Sequence, residues 1–277
     1  MREPIHTVIS NNVRSALTED IASGDITALL IDERKNATAD VITRENAIIS
    51  GTRWVNETFL QVDPTTQIEW HVADGDQVIT NQHLFTVTGS ARSLLTAERT
   101  ALNFLQTLSA TATITAYYAR TLESYSTKIL DTRKTLPGLR IAQKQAVLDG
   151  GGTNHRIGLD DAFLIKENHI LSCGSIEQAV SSAKKLAPGK PVEVEVESLA
   201  ELAEALNAQA DIIMLDNFDL QMMQQAVSLT AGRAKLEASG EMTPERLAAV
   251  ASTGVDYISS GNLTKHIQSI NLSMRFK

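Results

Sequence analysis

Four short runs rich in β-branched and apolar residues, Val192–Val196, Ile212–Leu215, Ala234–Ala238 and Val255–Ser259, begin 20, 22 and 21 residues apart. Each interval has room for one strand, one amphipathic helix and two short turns, and for little else. No other feature constrains the chain as strongly. Strands that point the same way must be joined by crossovers, so strict strand–helix alternation implies a parallel sheet with helices packed against it. Helix start signals fall where the rhythm requires them. Ser198-Leu-Ala-Glu201 fits a capping box, and Thr243-Pro244-Glu245 sets a cap residue before a first-turn proline. Two earlier runs, Ile129-Leu130 and Ala162–Ile165, bring the series to six or seven units. The expected class is α/β, and the unit count favours an incomplete barrel over an open doubly wound sheet.

Before about residue 110 the pattern is mixed. Ile5–Leu17 has helical spacing, and residues 37–50 alternate like strands. Gln67–Val72, the Asp74-Gly75-Asp76 turn and His83–Val87 read as a hairpin, followed by a long helix over Ser90–Ala110. The expected domains are therefore 1–110 and 111–266. The tail Ile270–Phe276 alternates with period two and has no helix after it, so residues 267–277 read as a strand returning to the N-terminal domain.

The chain has 277 residues, enough for one large domain or two ordinary ones. Its net charge of −8 argues against nucleic acid or an anionic membrane as a partner, since both need a positive field. A single cysteine, Cys173, excludes an internal disulfide framework and suits a reducing compartment. The N-terminus lacks a signal-like apolar stretch, and no run approaches the ~20 apolar residues that span a bilayer. The expected location is the cytoplasm.

Chemistry collects at the strand ends. Asp131-Thr-Arg-Lys134, Lys166-Glu-Asn-His169, Glu195, Asp216-Asn217, Glu237-Ala-Ser-Gly240 and Ser259-Ser-Gly-Asn262 each follow or close a strand-like run. In a βα barrel those ends share one face, where the active site lies. The charges also sort by sign. Arg133, Lys134 and Lys166 end early strands, and Glu195 and Asp216 end middle ones. A cavity with both would take an anion at one side and metal or sugar hydroxyls at the other.

Gly150-Gly-Gly-Thr-Asn-His155-Arg156 is a glycine turn that delivers a His and an Arg. The glycines could simply end the preceding helix, or could let backbone N–H groups approach a phosphate or carboxylate. Ser239-Gly240 and Ser260-Gly261 look like late phosphate grips, although Ser-Gly is a common turn. Arg99 shares a helical stripe with Leu95 and Leu102, so it is expected to be buried and to need an anionic partner. That partner is either an internal carboxylate or a ligand completed across a subunit interface. Glu193 and Glu195 fall on one strand face, costly inside a barrel without cations, metal or polyol. No zinc-spaced cluster, Walker loop, strand-linked GxGxxG or GxSxG elbow is present.

These residues resemble the quinolinate phosphoribosyltransferase family nearly end to end. The resemblance rests on Glu19–Thr27, Leu95–Gln106, Thr132–Arg140, Gly150–Arg156 and Lys166–His169. Glu193–Val196, Met214–Asn217 and Glu237–Gly240 continue it in order. It implies an N-terminal α/β sandwich domain plus a C-terminal incomplete (β/α) barrel, in a homodimer whose site is shared between chains. It implies decarboxylating transfer of phosphoribosyl from phosphoribosyl pyrophosphate with Mg2+ to quinolinate, as in NAD biosynthesis. By position, Arg133, His155, Arg156 and Lys166 would surround the quinolinate carboxylates, with Thr132 beside them and Arg99 supplied by the partner chain. Lys134 and Lys166 would touch pyrophosphate or ribose oxygens. Glu195 and Asp216 would hold the ribose hydroxyls directly or through the metal, and these last four are the expected catalytic residues. Ser239, Gly240 and Gly261, with Glu241 beside them, would bind the 5′-phosphate.

The chain departs from the family pattern at Glu241, where a glycine is usual, at Gln145 and Asp149, and at Leu263–His266. Glu241 would set a negative charge beside the phosphate. Rival readings are a same-fold paralogue of the type associated with molybdate transport, a nicotinate phosphoribosyltransferase and a non-catalytic phosphosugar-binding protein. A carrier domain would need a modifiable lysine at the Asp74–Val78 hairpin, and none lies between Lys35 and Lys128.

Overall fold

The structure is a computed structural model that describes residues 3–277. In chain order the elements are α1 (Ile5–Ile21), β1 (Asn36–Thr43), β2 (Ala47–Ile48), α2 (Thr52–Val62), β3 (Gln67–Trp70), β4 (Gln77–Val78) and β5 (His83–Ser90). Next come α3 (Ala91–Thr121), β6 (Lys128–Leu130), α4 (Arg140–Asp149), β7 (Phe163–Ile165), α5 (Glu167–Cys173), α6 (Ile176–Leu186) and β8 (Val192–Val196). The chain ends with α7 (Leu199–Asn207), β9 (Ile212–Asp216), α8 (Leu220–Thr230), β10 (Lys235–Ser239), α9 (Pro244–Ala251), β11 (Tyr257–Ser259), α10 (Asn262–Lys265) and β12 (Leu272–Phe276). Two compact units emerge. One holds the chain up to Ala116 with Thr135–Gly151 and Lys265–Lys277; the other holds Tyr117–Lys134 and Gly152–Thr264.

The first unit carries a four-stranded antiparallel sheet in the order β12-β1-β5-β3. The period-two tail thus becomes β12, paired with β1 from Ala39–Phe276 to Thr43–Leu272. Alternation sends Ala39, Val41, Phe85 and Val87 to one face, where all four are fully buried. Phe85 packs edge-on against Phe59 with ring centroids 6.4 Å apart and meets Trp70 at 4.4 Å. Leu94, Ala97, Ala101, Leu102 and Leu105 of α3 cover that face.

Two expectations change here. β3 and β5 do pair antiparallel, but Asp74–Asp76 is not their turn, because β4 intervenes and pairs with β2. Asp74 instead accepts hydrogen bonds from Gly51 N–H (2.9 Å) and Thr52 N–H (3.0 Å), satisfying the free donors at the start of α2. Arg99 is exposed, as is Leu95 at 37%. Spacing placed these two together correctly, but on the outer face: the buried stripe of α3 runs through Leu94, Ala97, Ala101 and Leu105, where small alanines hide the signal.

The second unit is built on a six-stranded parallel sheet, order β6-β11-β10-β9-β8-β7. The incomplete barrel is thus the observed form, open between β6 and β7. On β8, Val192, Val194 and Val196 are fully buried on one side, leaving Glu193 and Glu195 for the other. The crossover helices start on cap residues. Ser198 Oγ accepts from Glu201 N–H (3.2 Å), Ser175 Oγ from Gln178 N–H (3.1 Å) and Asp219 Oδ1 from Met222 N–H (2.7 Å). The Glu201 carboxylate reaches Glu197 N–H at 2.7 Å, one residue before the cap itself.

Candidate active site

The carboxyl ends of the parallel strands surround a cavity of about 610 Å3. Thr132, Arg133, Lys134, His155, Arg156, Lys166, Glu195, Asp216, Ser239, Gly240, Glu241 and Gly261 all line it. Residues 129 positions apart in sequence, Thr132 and Gly261, are thereby brought to one chamber. Of the residues expected at the site, Arg99 alone is not part of this lining; it stands exposed on α3. Leu164 and Met214 also line the cavity and were not anticipated there, while Asn217, Glu237 and Ser259, which the strand-end runs put on this face without a role, line it too. Leu164 and Met214 sit on strands at the face that also carries Glu193 and Glu195, so strand alternation is the signal that would have found them.

The loop after β6 is tied down locally. Thr132 Oγ1 accepts from Lys134 N–H (3.1 Å), and Lys134 C=O accepts from Thr264 Oγ1 (2.8 Å). Lys166, at the start of α5, pairs with Glu195 on β8. Asp216 and Ser239 are register partners on β9 and β10. Asp216 Oδ2 accepts from Asn217 Nδ2 (2.9 Å), and Asn217 N–H reaches Ser239 C=O (3.3 Å). Gly240 has φ +121°, and a Cβ there would lie 2.6 Å from Asn217 Oδ1, so only glycine fits. Gly150 is required for a different reason. Its Cβ would sit 2.4 Å from Ala112 C=O, so close packing on α3 explains this glycine and no phosphate contact is needed.

The electrostatics divide the chamber. Burial and the neighbouring Arg133 charge both push Arg156 below its ordinary pKa, so the two guanidiniums repel each other and favour an anion between them. Outside the lining, Glu167 above all, with Glu201, Asp216 and Glu195, raises the pKa of exposed Glu197, so negative charge also gathers near the Glu195 and Asp216 end, where Lys166 offsets part of it by pairing with Glu195. Glu195 and Asp216 offer hard carboxylate oxygens of the type that Mg2+ takes.

His155 lies at the floor of the chamber. Its Nε2 is 2.9 Å from Glu193 Oε2 and 3.4 Å from Glu237 Oε2, and both carboxylates are almost wholly buried. Burial alone would favour the neutral ring, but hydrogen bonds and charges from Glu193 and Glu237 outweigh it and push its pKa up to about 10. The main-chain N–H of Arg156 meanwhile points at Nδ1 from 2.7 Å. Two donors cannot face each other at that distance, so Nδ1 is the acceptor and the ring proton sits on Nε2. The tight hold on an additional proton therefore belongs to the cluster, and burial raises the Glu193 carboxyl to receive it.

The chain matches two family models, "Quinolinate phosphoribosyl transferase, N-terminal domain" over residues 25–109 and "Quinolinate phosphoribosyl transferase, C-terminal domain" over 111–275. It is 40% identical over 270 residues to a probable nicotinate-nucleotide pyrophosphorylase [carboxylating] of Bacillus subtilis, covering 97% of this chain and 93% of that one. It is 37% identical over 300 residues to a quinolinate phosphoribosyltransferase [decarboxylating] of Nicotiana glauca, covering 99% and 85%. Its fold superposes on the nicotinate-nucleotide pyrophosphorylase of Francisella tularensis with a TM-score of 0.96 and 50% identity, over 100% and 98% of the two chains.

Proposed function

The chain belongs to the quinolinate phosphoribosyltransferase family, and from that membership we propose how its residues divide the work on two anionic substrates. The enzyme is a decarboxylating pentosyltransferase of NAD biosynthesis. It transfers phosphoribosyl from phosphoribosyl pyrophosphate to quinolinate, giving nicotinate mononucleotide, CO2 and pyrophosphate. One observation carries the assignment of roles: Arg133, Lys134, Arg156 and Lys166 share a single cavity with Glu195 and Asp216, and the two sets meet where Lys166 pairs with Glu195.

Arg133, Arg156 and Lys166 receive the two carboxylates of quinolinate, with Thr132 beside them and His155 beneath. Lys134 faces the departing pyrophosphate. Glu195, steadied by Lys166, and Asp216, steadied by Asn217, hold the ribose hydroxyls. Ser239, Gly240 and Gly261 cradle the 5′-phosphate, and the glycine requirement at Gly240 supports close backbone approach there. Glu195 and Asp216 would also hold Mg2+, which when bound neutralises charge on the leaving pyrophosphate.

The chemistry then needs positioning and charge more than a covalent intermediate. As the C1–pyrophosphate bond breaks, ribose C1 becomes oxocarbenium-like and the pyridine nitrogen donates its pair to it. The ring nitrogen is now cationic. When the neighbouring carboxylate leaves as CO2, the electron pair of the broken C–C bond remains on the ring carbon beside that nitrogen, and a proton from solvent completes the product.

The site is shared in a homodimer, with Arg99 contributed by the partner chain. Support comes from its exposure on α3 and from the apolar side chains Ile26, Leu29 and Leu30, which are 81%, 67% and 84% exposed. Mixing Arg99→Ala with Lys166→Ala chains should restore roughly a quarter of wild-type activity, because mixed dimers regain one intact site. Absence of any recovery would remove the shared site. No helix among the described residues is long and apolar enough to cross a membrane.

The deciding experiment is Mg2+-dependent turnover of phosphoribosyl pyrophosphate with quinolinate, following CO2 and pyrophosphate, with nicotinate in parallel. Equal release of both products from quinolinate alone supports the two-carboxylate assignment. Equal turnover of nicotinate would overturn it.

A further inference from the structure

The interior of a βα barrel is ordinarily filled by layers of branched aliphatic side chains. Here β8 and β10 place Glu193 and Glu237 in that interior, 2% and 0% exposed. Each belongs to a strand whose neighbouring residues are buried and apolar. Among the described residues, Glu193 Oε1 and Glu237 Oε1 lack a hydrogen-bond partner, and Glu237 Oε2 has only the longer, 3.4 Å approach of His155 Nε2. Two carboxylates in such a place are strongly unfavourable unless something else requires them. What they converge on is His155 Nε2, at 2.9 and 3.4 Å. The other ring nitrogen, Nδ1, takes the Arg156 main-chain N–H at 2.7 Å. Both nitrogens of the ring thus have protein partners, at the edge of a chamber that the ring also lines.

The same segment is fixed at further points. Thr153 bridges to Leu130 beside β6, and Asp131 Oδ1 accepts from His155 N–H at 2.8 Å. Arg156 Nη1 donates to Ala162 C=O at 3.3 Å, and Ile157 N–H to Asp161 Oδ2 at 2.8 Å. The Arg156 main chain is thus held by a short chain of contacts that begins at the two glutamates and passes through one imidazole, while the guanidinium itself is anchored on Ala162 C=O.

We propose that Glu193 and Glu237 are positioning residues for quinolinate binding: they hold the His155 ring by Nε2, which leaves Nδ1 set against the Arg156 N–H and fixes the main chain that carries the guanidinium receiving a substrate carboxylate. His155 on this view acts through Arg156 and does not itself grip the substrate. The inference rests on the assignment of Arg133 and Arg156 to quinolinate made above. It explains why the site tolerates negative charge directly beneath an anion-binding floor: the glutamates face the ring from below and set its direction.

The test uses the full-length enzyme with the near-isosteric variants Glu193→Gln and Glu237→Gln, each also made in a His155→Ala background. Steady-state kinetics with each substrate varied are joined to calorimetric binding of quinolinate without donor. Each glutamine variant should raise the quinolinate KM and Kd about tenfold and leave the phosphoribosyl pyrophosphate KM within twofold. In the His155→Ala background the same substitutions should add less than twofold, because the route they act through is already cut. Equal losses for both substrates would overturn the proposal, as would an unchanged quinolinate Kd or full additivity with His155→Ala. Should either glutamine variant fail to fold, the other, with its His155→Ala cycle, carries the same decision. Arg156→Ala serves as the reference: if it too leaves quinolinate binding intact, the substrate assignment has failed, and not merely the role of the glutamates.

Discussion

The two larger β-sheets of this protein bury opposite things. In the antiparallel sheet, Ala39, Val41, Phe85 and Val87 turn to the core and the enclosed space is filled by aromatic and aliphatic side chains. In the parallel sheet the same alternation turns Glu193, Glu195 and Glu237 inward, and the enclosed space is left as a charged cavity of about 610 Å3. Identical strand geometry therefore serves stability in one unit and chemistry in the other. On β8 the apolar packing lies on the outer side, where Val192, Val194 and Val196 meet helices. The inner side is free to hold groups chosen for a ligand.

That division makes sharp demands on mutants. The largest effect on chemistry should come from Arg133→Ala. Loss of a charge-assisted contact to a carboxylate is worth about 2–5 kcal/mol, so kcat/KM for quinolinate should fall roughly 30- to 5,000-fold. The KM for phosphoribosyl pyrophosphate should change little, and the melting temperature hardly at all. A matching collapse in stability would mean that the cavity cations also hold the fold. Phe85→Ala should show the reverse. Removing a fully buried ring that packs on Phe59 and Trp70 should cost about 3–5 kcal/mol in denaturant unfolding, with the KM values of the folded fraction unchanged. Altered KM values would break the separation.

Smaller changes refine the same division on the barrel side. Ser198→Ala removes the cap of α7 and should cost about 1 kcal/mol of stability in the unit that holds the site, with kinetics preserved. Glu241→Gly should do the opposite on a small scale. It removes one exposed negative charge beside the proposed 5′-phosphate cradle, and the donor KM should fall about twofold with the melting temperature unchanged. A rise in the donor KM would show that Glu241 orders the loop, whose C=O already accepts from Arg246 Nη1 at 2.7 Å.

Much of this was legible in the amino-acid sequence, because strand–helix rhythm and strand-end residues are local patterns. The strands Ile212–Asp216 and Lys235–Ser239 lie within a residue of where periodicity sets them. Twelve of the thirteen expected binding residues line one cavity, since barrel topology gathers strand ends whatever their separation. What spacing could not supply was depth. Glu193, Glu237 and His155 meet through a crossing of the interior that no sequence interval encodes. Arg99 was misjudged because an i, i+4 partner of Leu95 looks buried only if Leu95 is, and the alanines of α3 do the burying instead. The glycines from Gly150 could end a helix or open to a ligand, and Gly150 does the first: it caps α4 and packs on Ala112.

The gap between β6 and β7 has a consequence of its own. Residues 153–157 run along that opening, bridged to Leu130 at one side and bonded to Ala162 at the other, so the missing staves are replaced by a seam of irregular chain. A closed barrel can present side chains to its interior only from strands, at heights set by register. A seam can be lengthened, shortened or rewritten without disturbing any strand pair. Diversification of acid specificity among proteins of this shape is therefore expected to concentrate in the seam, while the sugar-phosphate side, built on strand ends in fixed register, stays the same.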